Sequence, residues 1–227
     1  KLTQDDFSFG DLNYQGQQQV QQSQPEQTQG EPEIMALFAT PVMIDKYPYD
    51  FRKELNWINE QECRKNEERV EDYPGRVNNE DIKVHNEQSK NTFLLDDPIM
   101  QNVRKFIQEK IDYYASNILG FGSEMVITQS WFNRNSKGMN HHEHQHPNSI
   151  ISGVWYPQID EQLPPIKFRS PSQSQLSGQV VKYNNFNSAT FLLPMRNGEL
   201  ILFPSTLSHS VPTNFSDKVR ISLSFNT

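Results

Sequence analysis

The second half of the chain alternates between apolar and polar residues with a period of two. Short segments of this kind are separated by turn residues. They are MVITQSWFN (125–133), SIISGVWYP (149–157), PIKFRS (165–170), ATFLLP (189–194), GELILFP (198–204) and VRISLSFN (219–226). Alternation over four to eight residues is typical of strands with one buried face, and several such strands in succession indicate a sandwich or barrel. The pattern therefore predicts a mainly β fold.

One long helix is predicted before these strands. Apolar residues recur at helical spacing from Ile99 to Ile118. Asp97 followed by Pro98 is typical of a helix N-cap with proline in the first turn, and Gly120 is a typical stop signal. We expect this apolar stripe to pack against the sheet.

The first half of the chain predicts less regular structure. Pro41 favours an edge strand within residues 35–47, because proline cannot donate to a central ladder. A short helix is expected from Phe51 to Ile58, and we interpret the charged run that follows, ECRKNEERVED (62–72), as a solvated face. Residues 73–90 are expected to form turns and loops, with His85 on the surface.

The last strand has two distinct faces. Val219, Ile221, Leu223 and Phe225 alternate with Arg220, Ser222, Ser224 and Asn226. The apolar face is expected to pack against a helix or sheet, and the polar face to line an interior pocket walled by Val154 and Leu202. A buried arginine needs an anionic partner, so the pattern indicates either a structural ion pair or a bound acid.

Composition separates a tail from a domain. The 227-residue chain has ten glutamines in its first thirty residues, a composition that cannot build a core, so residues 1–33 are predicted to be a disordered tail and 34–227 the domain. The net charge of −7 argues against nucleic-acid binding. The single cysteine excludes an internal disulfide, and no apolar run is long enough for a membrane span. We expect a soluble cytoplasmic protein.

Four of the six histidines lie within six residues, at His141, His142, His144 and His146. Imidazole is the commonest transition-metal ligand, and His144 and His146 at i, i+2 could present two nitrogens from one strand, with a distant third from His209. His141 and Glu143 form an alternative close pair. A solvated histidine-rich loop is the other interpretation of the cluster.

Five motifs, in this order and spacing, resemble the iron(II)- and 2-oxoglutarate-dependent (2OG-Fe(II)) oxygenase superfamily. Within it, the chain is most similar to a group from marine bacteria and their phages that is related to prolyl hydroxylases. The motifs are LFATPV (37–42), SWFN (130–133), HQHPNSIISGVWY (144–156), GELILFPSTLSHSV (198–211) and RISLSFN (220–226).

The resemblance implies a double-stranded β-helix, or jelly roll, with flanking α-helices on one side. It implies Fe(II), 2-oxoglutarate and O2 as cofactor and co-substrates. Iron would be held by His144, His146 and His209, although most relatives have an aspartate where His146 stands, which keeps His141 and Glu143 open as alternative ligands. The remaining roles fall to Arg220 and Ser222, which would bind the far carboxylate of 2-oxoglutarate, and to Tyr156 and Asn133, which would line the same site.

The implied activity is hydroxylation of an unactivated C–H bond, of a prolyl or other peptide residue or of a small molecule, with release of succinate and CO2. Two alternatives stay open: a non-catalytic metal-binding jelly roll such as a virion-associated protein, and a cupin-like metal enzyme that does not use 2-oxoglutarate. The polar segment 158–187 is expected to be a lid or specificity loop. A host cytoplasm would be the location of a phage-encoded enzyme, and a homodimer is left open.

Overall fold

The computed structural model describes residues 37–67, 84–171 and 179–227. Thr40–Thr227 belong to one compact unit. The described end of the preceding unit, residues 37–39, begins with a turn. The predicted tail, residues 1–33, lies outside the described residues and stays a prediction.

Two antiparallel sheets contain all the described strands. The larger one has the order β1-β9-β6-β11-β4-β3-β2, and the smaller one β5-β10-β7-β8. In chain order the strands are β1 Met43–Lys46, β2 Cys63–Glu67, β3 Val84–Ser89, β4 Gln129–Asn135, β5 His141–His144, β6 Ile151–Gln158, β7 Ile166–Arg169, β8 Thr190–Leu193, β9 Glu199–Pro204, β10 His209–Val211 and β11 Arg220–Asn226. The predicted mainly β, jelly-roll architecture is confirmed.

Alternation along the central strands β6, β9 and β11 divides the apolar side chains between two cores. Trp155, Leu202 and Leu223 face the helices, in a cluster that also contains the buried stripe of the long helix. Side chains one position away face the smaller sheet and form a second cluster, which contains Val154, Tyr156, Ile166, Phe168, Ile201 and Phe203. The helices therefore flank one side of the larger sheet, and the smaller sheet covers the other.

The predicted long helix is present, with a more complex start and end. Asp97 accepts a hydrogen bond from Ile99 N at 3.0 Å and caps a 3-10 turn, Pro98–Met100, which continues as α2, Gln101–Tyr113. A π-helical turn, Tyr114–Ile118, follows, and Gly120 has a φ of +71°, which only glycine adopts without strain. Within the described residues, no helix is long and apolar enough to cross a membrane.

One expectation for the first half of the chain was wrong, and the other, the solvated charged run, missed a strand. The short helix, α1, spans Arg52–Glu60, but part of the charged run after it forms the edge strand β2. The end of the expected loop 73–90 forms β3, which pairs with β4. These strands have no apolar alternation because they extend the sheet with polar contacts: Asn86 is fully buried and hydrogen-bonded to Asn66 and Asn133. The side chain of His85 is outside the described part.

The edge-strand prediction is confirmed, since β1 pairs only with β9 among the described strands. The segment 125–133 forms a strand only from Gln129 onward. The expected lid segment contains β7, and residues 172–178 within it are outside the described range. Its role as a lid stays a prediction.

Candidate metal and co-substrate site

A β-bulge brings the histidines of β5 to one place. His209 of β10 lies opposite His144, whereas Val211 lies opposite His141, so three residue steps on β5 match two on β10. As a result the rings of His141 and His144 stack, with centroids 4.5 Å apart. Glu143, inside the bulge, instead accepts hydrogen bonds from Arg169 Nε at 2.5 Å and Ser208 Oγ at 3.1 Å.

The three histidines named from the sequence come together. Ring nitrogens of His144, His146 and His209 lie within 4.8 Å of one another. The ring centroids of His144 and His209 are 4.3 Å apart, and that of His146 is 5.0 and 5.1 Å from them. His141, His142 and His144 form a second group that satisfies the same criterion, whereas Glu143 belongs to neither group. The structure therefore places His141, but not its expected partner Glu143, beside the three histidines.

Hydrogen bonds fix the tautomers of two of these histidines. Nδ1 of His144 lies 2.9 Å from the carbonyl oxygen of His142, and Nδ1 of His209 lies 3.0 Å from that of Leu207. A carbonyl oxygen only accepts, so each neutral ring must carry its proton on Nδ1. The lone pair of each Nε2 is then available to a metal ion.

The electrostatic environment keeps these rings neutral at physiological pH. Burial lowers the pKa of His209 to about 3 and that of His146 to about 4, and the neighbouring histidines add to both shifts. Burial also lowers the pKa of His144 and holds that of His141 well below its ordinary value. Neutral imidazole is the form that binds metal, so the cluster is prepared for a cation.

The same cavity contains a buried arginine without an acidic partner among the described residues. Arg220 is 1% exposed, and its Nη1 donates to Ser222 Oγ at 2.9 Å. The guanidinium carbon lies 5.1 Å from the ring centroid of Tyr156. Burial lowers the pKa of Arg220, but guanidinium stays protonated in proteins. Val154 lines this cavity as expected, whereas the prediction for Leu202 was wrong, because Leu202 packs on the opposite face of β9.

Unpaired polar atoms surround the cavity. Among its lining residues, Trp131 Nε1, the Tyr156 hydroxyl, Ser210 Oγ and Arg220 Nε are buried and have no hydrogen-bond partner of good geometry within the described chain. Buried polar groups in folded proteins are normally paired, so four unpaired groups around one cavity indicate a polar ligand. Two of them, the indole and guanidinium N–H groups, can only donate, which suits an oxygen-rich anion.

Asn133 lines the cavity with its amide already engaged. Its Oδ1 accepts from Asn86 Nδ2 at 2.9 Å, and its Nδ2 donates to Ser224 Oγ at 3.1 Å. The Ser224 hydroxyl, which accepts this bond, can therefore turn its own hydrogen to the cavity. The sequence predicted that Ser224 lines the pocket with Arg220 and Ser222 but assigned it no contact with a ligand, and it did not predict Ser210.

Comparison with known proteins bears on both fold and family. Residues 129–226 match the family model described as "Putative 2OG-Fe(II) oxygenase". This match confirms, for that part of the chain, the resemblance inferred from the motifs. No curated protein sequence matches the chain.

Solved structures of the same fold include three from bacteria. An oxidoreductase of the 2OG-Fe(II) oxygenase family from Burkholderia pseudomallei has a TM-score of 0.52 at 12% identity, covering 77% of this chain and 76% of the other. A prolyl-4-hydroxylase from Pseudomonas putida has a TM-score of 0.53 at 14% identity, covering 82% and 92%. HygX from Streptomyces hygroscopicus, solved with nickel and 2-oxoglutarate bound, has a TM-score of 0.55 at 8% identity, covering 82% of each chain.

Proposed function

We propose that this chain, whose residues 129–226 match the 2OG-Fe(II) oxygenase family model, is an Fe(II)- and 2-oxoglutarate-dependent dioxygenase that hydroxylates an unactivated C–H bond. The observation that carries the proposal is one cavity with two functions: clustered neutral imidazoles for a metal ion, and a buried arginine without an acidic partner among the described residues. Neither feature alone would require a keto acid.

His144, His146 and His209 would hold the iron as three neutral nitrogen ligands. Three protein ligands on one face of the ion leave positions for the keto acid and dioxygen, as in other non-haem iron oxygenases. Bound Fe(II), with O2 and 2-oxoglutarate, would supply the oxidising power for C–H hydroxylation, with succinate and CO2 as products of the co-substrate. The absence of a carboxylate ligand makes this donor set more neutral than the usual two-histidine, one-carboxylate set.

Arg220 and Ser222 would bind the far carboxylate of 2-oxoglutarate. The guanidinium offers its unpaired Nε–H and further N–H groups in a rigid fork, and a carboxylate accepts two of them at once. The Tyr156 hydroxyl is unpaired in the same cavity, and the Ser224 hydroxyl can donate toward it. These groups orient the co-substrate before any chemistry occurs.

The unpaired arginine separates this proposal from its two alternatives. A non-catalytic jelly roll would gain nothing from a buried charge that lacks a partner, because such a charge costs several kcal/mol of stability (~3–5). A cupin-like metal enzyme that does not use a keto acid has no need of this arginine. The prime substrate is proposed as a peptide residue, prolyl included, or a small molecule; cytoplasmic location and a homodimer stay predictions.

Titration with 2-oxoglutarate tests the proposal. Mn(II) replaces Fe(II) as a redox-quiet ion, and affinity is measured by calorimetry for the parent and for Arg220→Ala. We expect the substitution to leave Mn(II) binding intact and to weaken 2-oxoglutarate binding by about 2–5 kcal/mol, the usual cost of truncating one partner of a buried charge pair. Arg104→Ala is the control, because Arg104 lies on helix α2, does not line the cavity and pairs with Asp96. Equal affinities in all three proteins, or no binding by the parent, would refute the proposal.

A further inference from the structure

His146 is supported differently from the other two histidines of the proposed metal site. His144 and His209 lie on paired strands, and main-chain carbonyl groups accept from their Nδ1 atoms. His146 lies in the connection between β5 and β6, where its main-chain N donates to Ser205 O at 3.1 Å. The partner of its Nδ1 is the side-chain amide of Asn226, whose Nδ2 is placed 3.4 Å away. A side-chain amide, unlike a carbonyl group, can either donate or accept.

A chain of buried hydroxyl groups extends from this amide to a main-chain carbonyl. Five contacts compose it. In order, they join His146 Nδ1 to the Asn226 amide (3.4 Å), Asn226 Oδ1 to Ser152 Oγ (2.9 Å), Ser152 Oγ to Ser205 Oγ (2.8 Å), Ser205 Oγ to Ser149 Oγ (2.9 Å) and Ser149 Oγ to Ile151 O (3.2 Å). Ser152 and Ser205 are almost completely buried, which makes these contacts hard to replace with water.

The number of available hydrogen atoms fixes the direction of donation along this row of hydroxyl groups. Each contact needs one hydrogen, and each hydroxyl has only one to give. The carbonyl of Ile151 only accepts, so Ser149 donates to it. Ser205 must then donate to Ser149, and Ser152 to Ser205, so the hydrogen of Ser152 is no longer available to Asn226. Ser152 therefore accepts from the Asn226 amide nitrogen.

This direction places the amide oxygen of Asn226 toward His146. A 180° rotation of the terminal amide exchanges its oxygen and nitrogen without moving other atoms, and the hydrogen-bond network decides between the two orientations. With the nitrogen toward His146, four hydrogens serve five contacts. With the oxygen toward His146, the Nδ1–H of His146 supplies the fifth hydrogen and all five contacts are satisfied.

We propose that Asn226 is a positioning residue, whose amide oxygen accepts the Nδ1 proton of His146 and so keeps the lone pair of Nε2 free for the metal ion. The chain Ser152–Ser205–Ser149 fixes the orientation of the amide. This inference rests on the proposed three-histidine metal site. It gives His146 the same tautomer that carbonyl groups impose on His144 and His209, so the three ligands become equivalent.

The tautomer is measured directly in the metal-free protein. Long-range ¹H–¹⁵N NMR spectra of imidazole rings distinguish Nδ1–H from Nε2–H. We expect His146 of the parent to be the Nδ1–H tautomer, and Asn226→Leu, which has no acceptor, to shift it toward Nε2–H. A parent His146 with its proton on Nε2 would overturn the proposal, whatever the metal affinity.

Metal affinity is the second measurement, with Mn(II) alone as the probe. Loss of an outer-shell partner typically costs 10- to 100-fold in metal affinity, so we expect a rise in Kd of about that size for Asn226→Leu. Asn226→Asp keeps an oxygen that accepts from His146 but loses the N–H group that donates to Ser152, so it should bind Mn(II) more tightly than Asn226→Leu does. Thr227→Val is the control beside the same strand end. It removes the hydroxyl group that accepts from Ile151 N and donates to Ile151 O, and the Kd should not change.

The outcomes separate this inference from the proposed function. If the parent binds no Mn(II), the metal site itself is refuted. If the parent binds Mn(II) and Asn226→Leu binds it equally well, only the role of Asn226 is refuted. Should Asn226→Leu fail to fold, the parent spectrum still decides, because a His146 ring with its proton on Nε2 contradicts the proposal.

Discussion

Tyr156 and Tyr114 are both buried tyrosines, but only Tyr114 has a hydrogen bond of good geometry; the Tyr156 hydroxyl interacts instead with the Arg220 guanidinium in the cavity. Tyr114 donates to Pro41 O at 2.8 Å, whereas the Tyr156 hydroxyl has no hydrogen bond of good geometry within the described residues. Burial raises the pKa of each to about 12, so both hydroxyl groups stay protonated. A buried hydroxyl without a well-formed hydrogen bond contributes little to the stability of the ligand-free fold and is available to a ligand.

Substitution by phenylalanine should therefore affect the two sites in opposite ways. We expect Tyr156→Phe to leave the free energy of unfolding of the ligand-free protein unchanged or slightly higher, and to weaken 2-oxoglutarate binding. Tyr114→Phe should lose about 0.5–1.5 kcal/mol of stability and keep its 2-oxoglutarate affinity. Urea unfolding and calorimetric titration of both variants provide the test. A loss of stability in Tyr156→Phe without a loss of affinity would make Tyr156 a structural residue.

Individual site residues were predictable where a strand's alternation identified them. Arg220 and Ser222 share a face of β11, and the structure places both in the cavity. The mistake over Leu202 arose because the phase of β9 relative to its neighbours is set by strand pairing, which one sequence does not reveal. The position of Glu143 could not be predicted from the sequence either, because its contact with Arg169 depends on the bulge in β5.

Among the strands, those with apolar alternation were found and the polar ones were missed. The four central strands of the larger sheet, β9, β6, β11 and β4, were all predicted, because their buried faces carry a strong apolar pattern. The strands β2, β3, β5 and β10 are short or polar, and their residues are held by pairing with neighbours distant in sequence. A local pattern cannot report a stabilisation that comes from such distant pairing.

Close packing between adjacent strands leaves no room for a side chain at Gly153 of β6. A Cβ at Gly153 would lie 2.2 Å from Phe225 Cζ and 2.6 Å from Leu202 Cδ2. Both neighbours belong to the core beneath the helices and are fully buried, so neither can move freely. We expect Gly153→Ala to destabilise the fold by about 1–3 kcal/mol or more through overpacking.

Thermal unfolding measures this effect. For a domain of this size, 1 kcal/mol corresponds to a shift in Tm of about 2–4 °C. Gly122→Ala is the control, because a Cβ there meets no atom within 4 Å, and its Tm should stay within the error of the parent. Equal Tm values for the two variants would show that β6 and β11 can separate enough to admit a methyl group.

The described part of the chain combines two apolar clusters with a polar cavity that lies between the two sheets. The larger sheet packs one face against α1 and α2, and its other face presents buried serines and Arg220 to the cavity. The histidines lie across the cavity, on β5 and β10 of the smaller sheet and in the connection between β5 and β6. Keeping several imidazoles neutral in such a place has a thermodynamic consequence. The unfolded chain takes up protons on histidines at a pH where the folded chain does not.

This difference predicts that the metal-free protein loses stability as pH falls. In the unfolded state a histidine has a pKa near its ordinary value of 6.5, whereas burial lowers that of His209 to about 3 and that of His146 to about 4. Below pH 6.5 the unfolded state therefore binds more protons, and the free energy of unfolding decreases with falling pH. The stability that depends on these neutral histidines is fully present above pH 6.5, the pKa in the unfolded state. It is lost progressively as the pH falls toward their pKa in the folded state.

Replacing one of these buried histidines should reduce the slope of the free energy of unfolding plotted against pH. At pH 5–6, a histidine that stays neutral only in the folded state adds about 1 kcal/mol per pH unit, since one pKa unit is worth 1.36 kcal/mol. We expect His209→Gln to show a slope smaller by that amount in urea unfolding with a chelator present. Gly122→Ala, which changes no titrating group, should keep the parent slope. Measurements are made above pH 5 because carboxyl groups, whose ordinary pKa values are 3.8 and 4.5, change the pH dependence mainly below that pH. An unchanged slope in His209→Gln would mean that His209 is protonated in the folded state, and the cavity would then repel a metal ion instead of binding it.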